Sequence, residues 1–198
     1  SSQVKSYRSD VQMIFQDPYS SLNPRMLVSD IIREPLDINT NLSTTEKNDR
    51  VDWLLNKVGL SKEQGNRYPH EFSGGQRQRI AIARSLSTKP RVIIADEPVS
   101  ALDVSIQAQV INLMMDLQEE MNLTIIFIAH DLSVVKHIST DIAVMYLGEV
   151  VEFGDTNSVF KNPQHDYTKT LLKSIPQPDP IGREKRKEER LKLKKFSM

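Results

Sequence analysis

Apolar positions along the chain follow two rhythms. Short, mainly apolar runs read as buried strands at Val11–Phe15, Arg91–Ala95 and Leu123–Ala129. Each ends in a polar cluster: Gln16-Asp17-Pro18, Asp96-Glu97-Pro98 and His130-Asp131. Elsewhere apolar residues recur at helical spacing. Val51, Leu54, Leu55 and Val58 line one face of a helix that opens at the capping box Ser43-x-x-Glu46 and stops at Gly59. Asp103–Met121 predicts a long helix with Ile106, Val110, Met114 and Leu117 in register, its methionines read as core filler. Asn23-Pro24 predicts a further helix start, carrying Met26, Leu27, Ile31 and Leu36 and limited by Pro35. After a helix near Leu132–Ile138, Ile142–Tyr146 and Glu149–Phe153 form a hairpin turning at Leu147-Gly148. Short helices follow at Asn157–Phe160 and Asp166–Ser174, before Pro176-x-Pro178-x-Pro180.

Strands alternating with helices in the later half predict an α/β fold with a parallel sheet. Residues 20–85 hold no convincing strand and read as a helical subdomain. No internal repeat or low-complexity linker interrupts the pattern.

Composition narrows the chemistry. The 198 residues are 38% hydrophobic and 26% charged, within the globular range. The longest unbroken apolar run, Ile142–Leu147, is far short of the roughly 20 residues of a membrane-spanning helix. The chain has no cysteine, which excludes disulfides, thiolate metal sites and a cysteine nucleophile. Net charge is zero but uneven. Ile181–Met198 holds eight Lys/Arg against three Glu, or +5, leaving −5 on the other 180 residues. Such a tail could meet nucleic acid or anionic lipid; the simpler reading, adopted here, is a solvated helix with no nucleic-acid partner.

Three clusters carry candidate chemistry. Ser73-Gly74-Gly75-Gln76 opens a helix that continues through Arg77 to Leu86. Ser73 and Gln76 make a capping box, and two glycines leave the first-turn amides bare, which suits an anion. Asp96 and Glu97 follow a buried strand, where α/β folds bind ligands. Neighbours on a strand face opposite ways, so the two carboxylates take different roles: Asp96 serves Mg²⁺ through water, and Glu97 polarises a water near a γ-phosphate. His130 ends the next strand and can bond a phosphate oxygen. Gln16, at the end of the first strand, can add a neutral oxygen to the metal.

Together these motifs resemble the ATP-binding-cassette (ABC) ATPase family over nearly the whole chain. Ser73–Gln76 is similar to that family's signature, and Ile93–Pro98 to its Walker B strand with the following glutamate. Ser100-Ala101-Leu102-Asp103 resembles the D-loop, His130 the switch histidine and Gln16 the Q-loop glutamine. Met13–Arg25 resembles the Q-loop region of the F-type ATPase subunits of oligopeptide and dipeptide importers. Asn162–Leu172 with Pro176–Pro180 resembles their C-terminal extension, with Asp166 standing where that pattern has proline.

The resemblance implies a RecA-like core with an inserted helical subdomain. Residues 1–19 would end the N-terminal part of the core, 20–88 form the helical subdomain, 89–155 resume the core, and 156–198 form the extension. It implies ATP and Mg²⁺ as cofactors, with Glu97 and His130 catalytic and Asp96 and Gln16 at the metal. Gln16, Ser73, Gly74, Gly75, Gln76 and Asp103 would contact nucleotide, the signature acting on a neighbour's ATP. Expected partners are a paralogous ATPase subunit or a second copy, integral membrane permeases and, indirectly, an extracellular peptide-binding protein. The expected location is the cytoplasmic face of the cell membrane.

The family's phosphate loop, G-x-x-x-x-G-K-S/T, is absent, and no Gly-Lys pair occurs anywhere. The chain is therefore expected to be an N-terminally truncated piece of a longer subunit, inactive alone. Two rival readings are a soluble ABC-type ATPase of DNA repair or chromosome maintenance and a non-catalytic partner-binding fragment. The first places coiled coils or zinc modules between the motifs; the short interval and lack of cysteine here argue against it.

Overall fold

The computed structural model describes residues 2–174, which form two compact units divided between Ser139 and Thr140. The expected basic tail and the Pro176–Pro180 run lie outside the described residues.

In the first unit, α1 (Ser2–Asp10) leads into β1 (Val11–Ile14). The other strands are β2 (Val92–Asp96) and β3 (Thr124–Ile128). All three run parallel in the order β1-β2-β3, with Met13 opposite Ile94 and Ile94 opposite Ile126. The parallel sheet matches the sequence reading. The expectation that β3 is buried does not hold: Ile126 and Ile128 are 51% and 46% exposed. β3 is one of the sheet's two edge strands among the described residues, and one of its faces is uncovered.

The helical segment comprises α2 (Pro18–Ser21), α3 (Val28–Asn39), α4 (Thr44–Lys57) and α5 (Gly74–Ser85), with 3₁₀ turns at Lys62–Asn66 and Pro69–Glu71. Two expectations need correction. Asn23-Pro24 opens a turn rather than a helix: Met26 N–H donates to Asn23 O, and Arg25 N–H to Asn23 Oδ1. Pro35 does not limit its helix but sits inside α3. Interior proline costs about 3 kcal/mol. Val28, Ile31, Ile32 and Leu36 are almost wholly buried, and burial of each such side chain returns roughly 1.5–3 kcal/mol. The short α2 carries no apolar period and escaped the sequence reading. Asp17 caps it, accepting from Tyr19 N–H at 2.8 Å, with Pro18 at its first position.

The capping box Ser43/Glu46 forms as expected. α4 ends at Lys57 with Val58 as its C-cap, and Gly59 follows at φ +74°, the left-handed position that favours glycine. α6 (Val104–Met121) buries Val110, Met114 and Leu117, so its methionine stripe is core. α7 (Leu132–Ile138) completes this unit.

In the second unit, β4 (Asp141–Tyr146) and β5 (Glu149–Asp155) form the expected hairpin. Leu147 and Gly148 both have positive φ, as its two-residue turn requires. α8 (Thr156–Lys161) is capped by Asp155. α9 (Asp166–Lys173) begins where Glu152 accepts the N–H groups of Gln164 and His165 at 2.8 and 3.0 Å. Tyr146 stacks on Tyr167 with ring centres 4.1 Å apart.

Candidate functional site

Parallel strands deliver their carboxyl ends to one rim of a sheet, and here each end carries a polar group. β1 runs out into Gln16, β2 into Asp96 and Glu97, β3 into His130. Two of these groups, Gln16 and His130, converge on a single carboxylate oxygen of Glu97. Gln16 Nε2 donates to Glu97 Oε2 at 2.8 Å. His130 Nδ1 lies 3.3 Å from the same oxygen. Gln16 and His130 are exposed and Glu97 is partly buried, so the cluster is open to a ligand while Glu97 is anchored from both sides.

The backbone at Glu97 is left-handed, with φ +43°. A non-glycine residue pays on the order of 1–3 kcal/mol for such a conformation, and it persists only where the surroundings enforce it. They do here. Glu97 N–H donates to Ile128 O at 3.0 Å, tying the end of β2 to the end of β3. Glu97 O accepts from both the N–H and the hydroxyl of Ser100. The sequence reading separated Asp96 from Glu97 by strand alternation. The structure separates them differently: Asp96 is the last residue of β2, and the chain leaves the strand at the left-handed Glu97.

A small cavity of about 50 Å³ opens beside Glu97, lined by Ser100, Gln107, Ala129, His130 and Val134 among others. Gln107 Nε2 donates to Val99 O at 2.9 Å and so fixes the loop after Glu97 to α6. Asp103 stands at the N-cap of α6 without a side-chain capping bond, its carboxylate exposed. Among the described residues no three His, Asp or Glu side chains converge as a metal cage. A Mg²⁺ carried by a nucleotide needs only one or two protein ligands besides phosphate and water. Asp96, with the Oε1 that Gln16 leaves available, fits that requirement.

The second cluster is the start of α5. Ser73 Oγ accepts from Gln76 N–H, and Gln76 Oε1 accepts from Ser73 N–H, completing the expected box. The amides of Gly74 and Gly75 stand in the first turn with no side chain to cover them. The two glycines are not equivalent. A Cβ on Gly74 would sit 3.7 Å from Leu102, an ordinary contact, whereas one on Gly75 would lie 2.5 Å from Ile106 Cγ2. Gly75 is therefore required by packing against α6 before any ligand is considered. The signature start and the Leu102–Ile106 stretch are neighbours within one chain, which sequence spacing could not disclose.

The basic run after the signature invites an anion-binding reading, but its guanidiniums are engaged internally. Arg77 Nε donates to Pro69 O at 2.7 Å, Arg79 Nη1 to Val58 O at 3.0 Å and Arg84 Nη1 to Ser21 O at 2.5 Å. Burial lowers the Arg84 pKa from its ordinary value, with the Glu34 charge opposing. Each arginine binds a backbone carbonyl in a turn or near a helix end.

Comparisons with known proteins converge on the same reading. Residues 1–100 match the family model described as "ABC transporter", and residues 151–197 match the "Oligopeptide/dipeptide transporter, C-terminal region". The chain is 62% identical to the oligopeptide transport ATP-binding protein OppF of Bacillus subtilis (strain 168), over 88% of this chain and 57% of that protein. It is 58% identical to the dipeptide transport ATP-binding protein DppF of Lactococcus lactis subsp. cremoris (strain MG1363), over 93% of this chain and 60% of that protein. The chain thus spans little more than half the length of these curated relatives. A dimeric ATP-binding cassette solved in a post-hydrolysis state with ADP and Pi superposes with TM-score 0.67 at 30% identity, covering 77% of this chain and 66% of that one. With its strand-end cluster, its signature helix and these matches, the chain belongs to the ABC transporter family and carries that family's oligopeptide/dipeptide transporter C-terminal region.

Proposed function

We propose that the chain is part of the ATP-binding and ATP-hydrolysing subunit of an importer for oligopeptides or dipeptides. The observation that carries this reading is Glu97: held in a left-handed backbone at the sheet rim, with Gln16 and His130 both directed at its Oε2. Such a carboxylate can orient a water for in-line attack on a γ-phosphate, in a reaction governed by positioning and charge stabilisation. In this reading His130 holds the γ-phosphate and the water in line. Asp96 and Gln16 hold Mg²⁺, which neutralises charge on the phosphate oxygens. In this reading Gln16 joins the two roles: its amide donates to Glu97 and its carbonyl oxygen serves the metal.

The start of α5 fits a different duty. Its bare amides and the exposed Ser73 hydroxyl suit a phosphate belonging to a neighbouring subunit, either a paralogue or a second copy, with Asp103 beside it. The names of the similar proteins support peptide transport as the work driven by hydrolysis. In this proposal that transport runs through integral membrane permeases, with the subunit at the cytoplasmic face of the cell membrane. A peptide-binding protein outside the cell would then supply the substrate. Among the described residues no helix is long and apolar enough to cross a membrane, and in this proposal the permeases provide the membrane path.

The test is reconstitution of the full-length subunit with its permeases in liposomes, following uptake of a labelled tetrapeptide. Uptake is expected to require Mg-ATP and to fail with His130→Ala. Uptake that is indifferent to ATP, or undisturbed by His130→Ala, would overturn the proposal. The 198 residues contain no G-x-x-x-x-G-K-S/T run, so this chain by itself is expected to bind nucleotide weakly. Low-micromolar binding by titration calorimetry would contradict that.

A further inference from the structure

A helix that starts on an aspartate normally uses that side chain to cap its own first turn. α6 does not. Asp103 is its N-cap and makes no side-chain capping bond. A capping box would need Glu or Gln at the third helical position, which is Ile106. The glutamine comes one residue later, at Gln107, too far on to close that box. Its Nε2 reaches back past the helix start instead and donates to Val99 O at 2.9 Å. Val99 O also accepts the Leu102 N–H at 3.1 Å. One carbonyl thus takes a bond from its own loop and a bond from the helix.

The place of that carbonyl decides what the bond does. Residues 97–100 form a turn, with the N–H and the hydroxyl of Ser100 both on Glu97 O. Glu97 opens this turn at φ +43°, a backbone that a residue with a side chain keeps only where its surroundings impose it. On the strand side the Glu97 N–H is fixed to Ile128 O. On the loop side the turn is held by the loop's own bonds and by the Gln107 amide. Gln107 is only partly buried and lines the same cavity as Glu97 and His130. The backbone of this turn sets where the Glu97 carboxylate points, and Oε2 has to stay within reach of both Gln16 and His130.

We propose that Gln107 is a positioning residue for Glu97: its amide clamps Val99 O to the start of α6 and so holds the turn that keeps the Glu97 carboxylate between Gln16 and His130. Without the clamp the turn relaxes toward backbone angles that suit a residue with a side chain, and the carboxylate is aimed at the attacking water for less of the time. This inference rests on the ATPase reading above.

The experiment uses the full-length subunit assembled with its partners. Mg-ATP hydrolysis and the thermal midpoint are measured for Gln107→Met and Gln107→Glu, and for Gln107→Met combined with Glu97→Gln. Methionine keeps the length and the helix preference but cannot donate. Ionised glutamate keeps the shape, cannot donate, and turns an oxygen toward the carbonyl. Gln107→Met is expected to lower kcat by about three- to tenfold, one neutral hydrogen bond expressed as a rate ratio. KM should stay within about twofold and the midpoint within about 4 °C. Gln107→Glu should be at least as slow. On the Glu97→Gln background, followed in single turnovers, Gln107→Met should change the residual rate by less than about twofold, because a residue that acts through the carboxylate then has nothing left to position. A fall in kcat of less than about threefold for Gln107→Met, a change confined to KM, or a Glu variant as fast as the unmodified subunit would each overturn the inference while leaving the ATPase reading intact. So would a loss on the Glu97→Gln background as large as on the normal one, which would show that the amide only supports the fold. Absence of hydrolysis in the unmodified subunit would remove both.

Discussion

The helical segment and the sheet of the first unit bury their apolar residues very differently. In α3, α4 and α5, Ile32, Leu54 and Ile80 are fully buried, and arginines fasten the ends. Arg50 shows the pattern: it donates to Leu86 O at 2.8 Å, closing the end of α5, and stacks on Trp53. The sheet buries Ile14, Ile93 and Ala95, but β3 exposes Ile126 and Ile128. Every group of the Glu97 cluster sits on the sheet's rim. Stability is thus concentrated in the helices, while strain and exposed polar groups gather at the strand ends. The signature lies where the two regions meet, because Gly75 packs on α6 and Arg77 lies over the Tyr19 ring of α2.

The sharpest break of this contrast is Glu97→Gly in the full-length subunit. Glycine adopts φ +43° freely, so unfolding stability should rise by about 1 kcal/mol. Hydrolysis should fall by roughly 10²–10⁴-fold, as for loss of a general base. Denaturant unfolding paired with a turnover assay checks both. Loss of stability together with activity would show that the residue is structural.

Next in size is the pair of glycines at the junction. Gly75→Ala drives a methyl against Ile106, and such overpacking typically costs about 1–3 kcal/mol. Gly74→Ala meets only an ordinary contact with Leu102 and should be neutral or slightly stabilising. Equal effects in urea unfolding would contradict the packing account. The same asymmetry makes Gly74, not Gly75, the better position for a charged probe of the neighbour's site. With Gly74→Asp in one subunit of a mixed pair, hydrolysis should fail at the partner's nucleotide and not at the mutant's own.

Within the helical segment one flaw can be repaired. Gln78 is fully buried, and neither its Nε2 nor its Oε1 has a partner. Gln78→Met keeps the shape and removes the unpaired amide. It should stabilise by about 1–2 kcal/mol, readable as a higher urea midpoint. A lower midpoint would mean that the amide contributes to stability despite its unpaired atoms.

The smallest effect belongs to the second unit. The Thr168 hydroxyl beside Glu152, with the amides of Gln164 and His165, lowers the Glu152 pKa from its ordinary value against the opposing pull of burial. Its folded pKa lies below its unfolded one. This contribution to stability is therefore complete above the ordinary glutamate range and is lost as pH falls through the folded value. Glu152→Gln should flatten that acid-side loss in the unfolding midpoint. An unchanged pH profile would rule the contact out as a stabiliser.

Much of this was legible in the sequence. The strand ends could be read because apolar runs stop abruptly at Gln16, Asp96 and His130, and the capping boxes at Ser43 and Ser73 because the pattern is local. The interior Pro35 misled because a local penalty was outweighed by burial that only tertiary packing reveals. β3 misled because apolar content alone does not say whether a face is covered. The contacts of Tyr19 with Arg77 and of Gly75 with Ile106 join residues distant in sequence with no compositional mark. The left-handed Glu97 likewise has no local signal, since nothing around it spells a turn type.

The most direct test of the account is Glu97→Gln in the full-length subunit, with equilibrium binding and single-turnover hydrolysis of Mg-ATP measured on the same preparation. The substitution keeps the shape and removes the carboxylate that Gln16 and His130 address. The account predicts nucleotide affinity within about threefold of the unmodified subunit and hydrolysis slowed by at least about 10²-fold. Hydrolysis within about threefold of normal, or binding lost in step with turnover, would contradict it.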